Sequence, residues 1–120
     1  MKTLAVMVTT PPFSNLTTTA YHFIEKALEQ GINVAGVFFY QDGVLNANSN
    51  VAIPNDEFQM NAHWQQLHQH YKLPLYLCYT DAEKRGLTEE TTANINEIFI
   101  PSGLGVLVQL SNNADRMVQF

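Results

Sequence analysis

The chain is poor in cysteine, in charge and in long apolar runs, and each shortage rules something out. Its 120 residues contain one cysteine, Cys78. A single thiol cannot form an intramolecular disulfide, run a two-cysteine redox cycle, staple a disulfide scaffold or build a multi-cysteine zinc centre. If Cys78 reacts, it must hand its chemistry to another molecule. Charged residues make up only 14% of the chain, well under the usual share of about a quarter. So few charges lean toward a subunit that buries part of its exterior against partners, although a surface rich in Asn, Gln and Thr would read the same way. The 6 basic residues are outnumbered by 11 acidic ones, for a net charge of −5, and no cationic cluster exists beyond Lys84-Arg85. Direct binding of DNA or RNA by this chain is therefore not expected, because phosphate affinity comes from clustered cations. No apolar run reaches membrane-spanning length. The amino-terminal stretch enters a strand pattern that breaks at Pro11-Pro12, too short for a signal peptide. With a free thiol, that indicates the cytoplasm.

What is present reads as one α/β domain over residues 1–120. Leu4-Ala5-Val6-Met7-Val8 is a continuous apolar run, as expected of a strand buried on both faces. From Thr17 to Gln30 apolar residues recur at helical spacing, with Ser14 or Asn15 as cap and Gly31 as terminator. Asn33 to Tyr40 is a second strand, completing a right-handed βαβ unit. A long polar loop from Gln41 to Asn55 follows, and loops of that length are more often functional than idle. Asp56-Glu57 opens a helix to about Tyr71, with Phe58, Ala62, Trp64, Leu67 and His68 at or near its inner face. Leu75 to Cys78 is the third strand, and a short helix over Thr80 to Gly86 is capped by Thr80 or Asp81. Thr88 starts another helix, Ile98-Phe99-Ile100 is a brief strand, Gly103 to Leu110 a helix, and Met117 to Phe120 a last strand. The expected fold is a three-layer α/β/α domain with a mainly parallel sheet of about five strands. Trp64, Tyr71, Tyr76 and Phe99 are expected to be half-exposed.

Most other chemistry-bearing patterns have ordinary explanations. His63, His68 and His70 lie on one helix at spacings of five and two, neither of which pairs imidazoles for a metal. No metal and no cofactor is expected. Gly103-Leu104-Gly105 lacks the third glycine of a dinucleotide fingerprint and reads instead as a close-packed turn. Ser14, Thr17, Thr18 and Thr19 are explained by backbone capping as well as by phosphate binding. No Ser/His/Asp set is readable.

Cys78 stands apart. It sits at the carboxyl end of a strand and at the amino end of a helix, on the edge where open α/β sheets gather ligands. The helix end favours thiolate over thiol. Buried free cysteines are common, and from this context an inert core thiol and a reactive one both remain open. A reactive Cys78 would have to be at least partly reachable. The loop after Val8, the Tyr40–Asn50 loop and Cys78 should converge, surrounding the thiol with Phe39, Tyr40 and Asp42. Lys84 and Arg85 lie too far along the helix to be assumed contacts. Asp81 is expected to cap rather than activate, since a carboxylate raises a thiol's pKa.

Val37-Phe38-Phe39-Tyr40-Gln41-Asp42-Gly43-Val44 with Asn46-Ala47-Asn48 resembles the motif after the second strand in the DsrE/TusD sulfur-relay family. Asp56-Glu57-Phe58, Trp64-Gln65-Gln66-Leu67, Leu77-Cys78, Arg85-Gly86, Ser102-Gly103-Leu104-Gly105 and Asp115 to Phe120 extend the resemblance nearly end to end. Within the family the chain is most similar to the cysteine-bearing TusD branch. The segment between Gly86 and Ile98 is shorter than in that branch. The resemblance implies a DsrE-like fold and a sulfurtransferase that carries sulfane sulfur as a persulfide on Cys78, in a relay ending in 2-thiolation of the tRNA wobble uridine. It further implies TusB/TusC-like paralogous subunits in a heterohexamer (or self-association), a TusA-like donor and a TusE-like acceptor. The alternatives are a DsrE-like protein of sulfur oxidation, a non-catalytic subunit of such a complex, and a flavodoxin-like nucleotide or flavin binder.

Overall fold

Five short apolar runs supply the strands, and the order in which they pair fixes where their ends meet. The computed structural model describes residues 2–49, 53–87 and 95–120. Its elements are β1 (Thr3–Val8), α1 (Asn15–Glu29), β2 (Asn33–Phe39), a 3-10 helix (Gln41–Ala47), α2 (Met60–Tyr71), β3 (Leu75–Cys78), α3 (Tyr79–Lys84), β4 (Phe99–Ser102), α4 (Leu104–Asn113) and β5 (Arg116–Gln119). The strands form one sheet in the order β4-β3-β2-β1-β5, and every pairing is parallel. All carboxyl ends therefore lie on one edge. The expected three-layer α/β fold with a five-stranded parallel sheet is the fold observed. The helix expected from Thr88 falls on 88–94, outside the described residues, as does most of the segment between Gly86 and Ile98 that was expected to be short.

Side-chain alternation along the strands separates the two faces. Phe39 meets Trp64 of α2 edge-on with ring centroids 5.1 Å apart and Phe99 of β4 at 5.2 Å. That face is covered by α1 and α2. Gly36 points the other way, where a Cβ would lie 2.8 Å from the Tyr76 ring and 3.3 Å from Leu110 of α4. The missing side chain is what lets α4 and Tyr76 pack there.

Two of the four aromatics expected at the surface are not there. Trp64 is 0% exposed and Phe99 4%, because both belong to the cluster around Phe39; Tyr71 and Tyr76 are partly buried. The exposed apolar side chains are others, among them Phe13, Leu16, Tyr79, Ile100, Leu104 and Val108. Helix α2 begins at Met60 rather than Asp56. Glu57 N–H closes a turn on Pro54 O at 2.9 Å, and the Gln59 side chain donates to the carbonyls of Ile53, Pro54 and Glu57. The inward positions become Met60, Trp64 and Leu67, which leaves Ala62 exposed.

Trp64 also anchors the edge. Its indole Nε1–H donates to Asn46 Oδ1 at 3.1 Å, while Asn46 Nδ2 donates to Thr10 O at 3.1 Å and Gly43 O at 2.9 Å. Asn46 is 1% exposed, so this amide ties α2, the β1 loop and the 3-10 helix together in a dry setting. Asn46→Ala should cost about 1–3 kcal/mol, because it strands a buried indole N–H. Urea denaturation is the check, and Asn46→Asp should not recover the loss, because its carboxylate would face the carbonyl oxygens of Thr10 and Gly43 that now accept from the amide.

Candidate functional site

The loops at the carboxyl edge close on one another through the backbone. Tyr40 N–H donates to Val8 O at 2.9 Å. Gly43 passes so near Val8 that a Cβ would sit 2.0 Å from its carbonyl oxygen, a close approach that only glycine permits. The Asp42-Gly43 dipeptide was the available sequence signal for such a turn. The convergence of the β1 loop, the 3-10 helix and the end of β3 is thus observed.

Cys78 is the last residue of β3, paired with Ser102 of β4. It is also the N-cap residue of α3, with φ −65° and ψ 113°, and makes no side-chain cap hydrogen bond. The expected caps, Thr80 and Asp81, instead lie inside the first turn. Strand β3 runs straight into α3, so the extended residue at the junction is the cysteine itself.

Three expectations about the thiol need correction. Cys78 is 3% exposed, not partly reachable, because it belongs to the buried core cluster. Its thiol is pushed up from the ordinary cysteine value, not lowered. Burial is the largest cause, and the Asp81 carboxylate adds to it; the Thr80 and Asp81 backbone N–H groups pull the other way without prevailing. The helix-end effect is real but too small. Finally, Phe39 does not surround the thiol. It pairs with Leu77, so alternation sends its ring to the α2 side and Cys78 to the α4 side, together with Phe38 and Tyr76.

Asp81 behaves as expected of a carboxylate that does not activate, and sequence reasoning missed its partner. Asp81 Oδ2 accepts from the Gln41 N–H at 2.7 Å, with Gln41 in the left-handed region at φ 53°. Arg85, set aside on grounds of distance, binds Asp42 Oδ1 through Nε at 3.1 Å and Nη2 at 2.9 Å. Its Nη1 donates to Asp81 O at 3.0 Å. The i, i+4 spacing of Asp81 and Arg85 was the legible half of this cluster; the approach of Asp42 was not.

The remaining candidates have structural roles. Ser14 Oγ caps α1 by accepting from Leu16 N–H at 3.2 Å, and Thr17 Oγ1 donates to Pro11 O at 2.6 Å. Hydroxyls spent on the backbone do not form a phosphate cradle. A Cβ at Gly103 or Gly105 would meet nothing within 4 Å, so that turn is open, not close-packed. His63 Nδ1 lies 2.7 Å from Gln59 O and its ring stacks on Phe58 at 3.9 Å, while His68 Nδ1 lies 2.9 Å from Leu73 O. Among the described residues no group of three or more His, Cys, Asp or Glu could hold a metal ion. A groove of about 580 Å³ lies between α1 and α2, lined by Tyr21, Glu25, Gln66, Leu67, Gln69, His70 and Tyr71, on the far face from Cys78. Among the described residues no helix is long and apolar enough to cross a membrane.

Comparison with known proteins agrees with the resemblance read from the sequence. The chain is 38% identical over 125 residues to a sulfurtransferase TusD of Klebsiella pneumoniae, covering 97% of this chain and 98% of the relative. It is 39% identical over 124 residues to a sulfurtransferase TusD of Erwinia tasmaniensis, covering 96% and 97%. The crystal structure of the ychN protein from E. coli superposes with a TM-score of 0.82 at 19% identity, covering 100% of this chain and 99% of that one, a likeness of fold. The DsrE/DsrF-like family model matches residues 2–120, and the chain belongs to that family.

Proposed function

We propose that this chain is a sulfurtransferase subunit that carries sulfane sulfur as a persulfide on Cys78, within a relay toward 2-thiouridine at the tRNA wobble position. The observation that supports it most is the 38–39% identity, over nearly the whole length, with proteins named sulfurtransferase TusD in a chain whose one thiol stands where β3 gives way to α3. Relay chemistry needs one thiolate that attacks a donor persulfide and is relieved of its sulfur in turn. A second nearby thiol would release that sulfur by forming a disulfide, and the chain has none. Because Cys78 is 3% exposed, a donor gains contact with Sγ when local opening at the carboxyl edge uncovers it.

The chain works in the cytoplasm with TusB/TusC-like subunits, receiving sulfur from a TusA-like donor and passing it to a TusE-like acceptor, and does not itself bind tRNA. No charged residue occurs between Glu97 and Asp115, and within that stretch Ile100, Leu104 and Val108 are 46%, 51% and 57% exposed. An uncharged apolar surface of this kind supports a lasting subunit contact. Sedimentation at micromolar concentration should show an associated species; a lone 13.5 kDa particle, alone and with its paralogues, contradicts this. The pathway is tested in a bacterium lacking its own TusD. Expression of this chain should restore 2-thiouridine in tRNA. Sulfur loading without restoration would move the chain to a sulfur-oxidation role.

A further inference from the structure

A relay cysteine must take sulfur up and also let it go. Resting on the reading of Cys78 as the carrier, the step is Cys78–SH plus a donor R–S–S⁻ giving Cys78–S–S⁻ plus R–SH. The Cys78 thiolate attacks the outer sulfur of the donor, and a new S–S bond forms as the donor's own S–S bond breaks. The donor sulfur leaves with the electron pair and takes up the proton that Cys78 lost, so nothing is oxidised or reduced overall. A persulfide is a stronger acid than a thiol. At neutral pH the reaction therefore turns a neutral Cys78 side chain into an anionic one, and any fixed negative charge beside it opposes loading and favours release.

Such a charge is built in. Asp81 stands three residues after Cys78 in the first turn of α3, and its side chain is only 13% exposed. Oδ2 is held by the Gln41 N–H at 2.7 Å. The nearest cation is turned elsewhere: Arg85 makes its two short side-chain bonds to Asp42, and its Nη1 stays 3.9 Å from Asp81 Oδ1. The Asp81 charge is thus fixed in place and only partly offset, by a long ion pair of 3.9 Å to an Arg85 whose shorter side-chain bonds go to Asp42. On the elements packed around Cys78, Asp42 faces Arg85, Tyr40 follows β2, and Glu83 and Lys84 are exposed on α3. Strands β2, β3 and β4 and helix α4 bring no charged side chain. Burial and Asp81 together hold the thiol above its ordinary pKa, in keeping with this geometry.

We propose that Asp81 is a positioning residue for sulfur transfer, its clamped carboxylate making Cys78 a point of transit that releases sulfur readily rather than one that stores it. Asp81→Asn keeps an oxygen to accept from Gln41 N–H and removes the charge. Alkylation of Cys78 by iodoacetamide should then follow a pH profile lowered by about one unit, with a roughly tenfold faster rate at neutral pH. In a fixed mixture of glutathione persulfide and glutathione, the persulfidated fraction of Cys78 should rise several-fold and its release to added thiol should slow. Asp42→Asn alters a side chain that is 60% exposed and frees Arg85 to close on Asp81, so it should move both readouts the same way by less. Wild-type values for both variants in both measurements would overturn the proposal. If wild-type Cys78 takes up no sulfur at all, the carrier reading fails and the role in transfer falls with it, while the alkylation profile still reports whether Asp81 acts on the thiol.

Discussion

Cys78→Ser is expected to abolish sulfur loading completely while leaving the chain folded. The substitution is nearly isosteric, and the chain has no other thiol to take over. A hydroxyl at a residue that is 3% exposed should cost about 1–3 kcal/mol, well inside the stability of an ordinary domain. The hydroxyl can also accept from the first N–H groups of α3, as serine does at N-caps, which offsets part of that cost. Circular dichroism and the urea midpoint report the fold, and mass spectrometry after incubation with a persulfide donor reports the loading. A serine variant that still acquired labelled sulfur would remove Cys78 from the chemistry.

Gly43→Ala should give the largest loss of stability among the glycine-to-alanine changes in the chain. The added Cβ would stand 2.0 Å from Val8 O and 2.8 Å from Val8 C. Both are backbone atoms of a central strand, and neither can swing aside as the end of a side chain could. The 3-10 helix must therefore move away from β1, straining the Tyr40–Val8 hydrogen bond and the Asn46 amide contacts behind it. A cost of about 3 kcal/mol is expected for overpacking of this kind, which lowers Tm by about 10 °C in a chain of this size. Displacing the segment also draws the Gln41 N–H from Asp81 and uncovers Cys78, so alkylation should quicken along with unfolding. A variant with wild-type Tm would mean that the Val8–Gly43 contact is looser than described.

Much of the fold was legible because its strands are continuous apolar runs bounded by Pro, Gly and polar residues. Leu4 to Val8, Asn33 to Phe39 and Leu75 to Cys78 announce themselves, and their alternation with helices leaves a parallel sheet as the natural outcome. The same continuity hid which face each residue serves. Residues buried on both faces show no period of two, so nothing local separated Phe39 from Phe38 or set Cys78 opposite Phe39. Phe99 and Trp64 appeared to have a free side because their partners lie far off in the chain. The cap of α3 was misplaced for a different reason. Thr80 and Asp81 are far better N-cap types than cysteine, but the abrupt end of β3 decides the junction. At α2, Asp56-Glu57 carries the charge signature of a helix start, yet Pro54 and the Gln59 side chain hold those residues in a turn. Arg85 was out of reach to any local reading, since its side-chain partner Asp42 arrives across 43 positions of sequence.

Whether Cys78 carries transferable sulfur is read by loading the wild-type chain with a cysteine desulfurase, isotopically labelled cysteine and a TusA-like carrier, then mapping the sulfur by peptide mass spectrometry. One labelled sulfur is expected on the peptide containing Cys78, removed by thiol reductant and passed on when an acceptor protein is added. A chain that stays unlabelled in isolation and also with its paralogous subunits, although the carrier itself is charged, would contradict it.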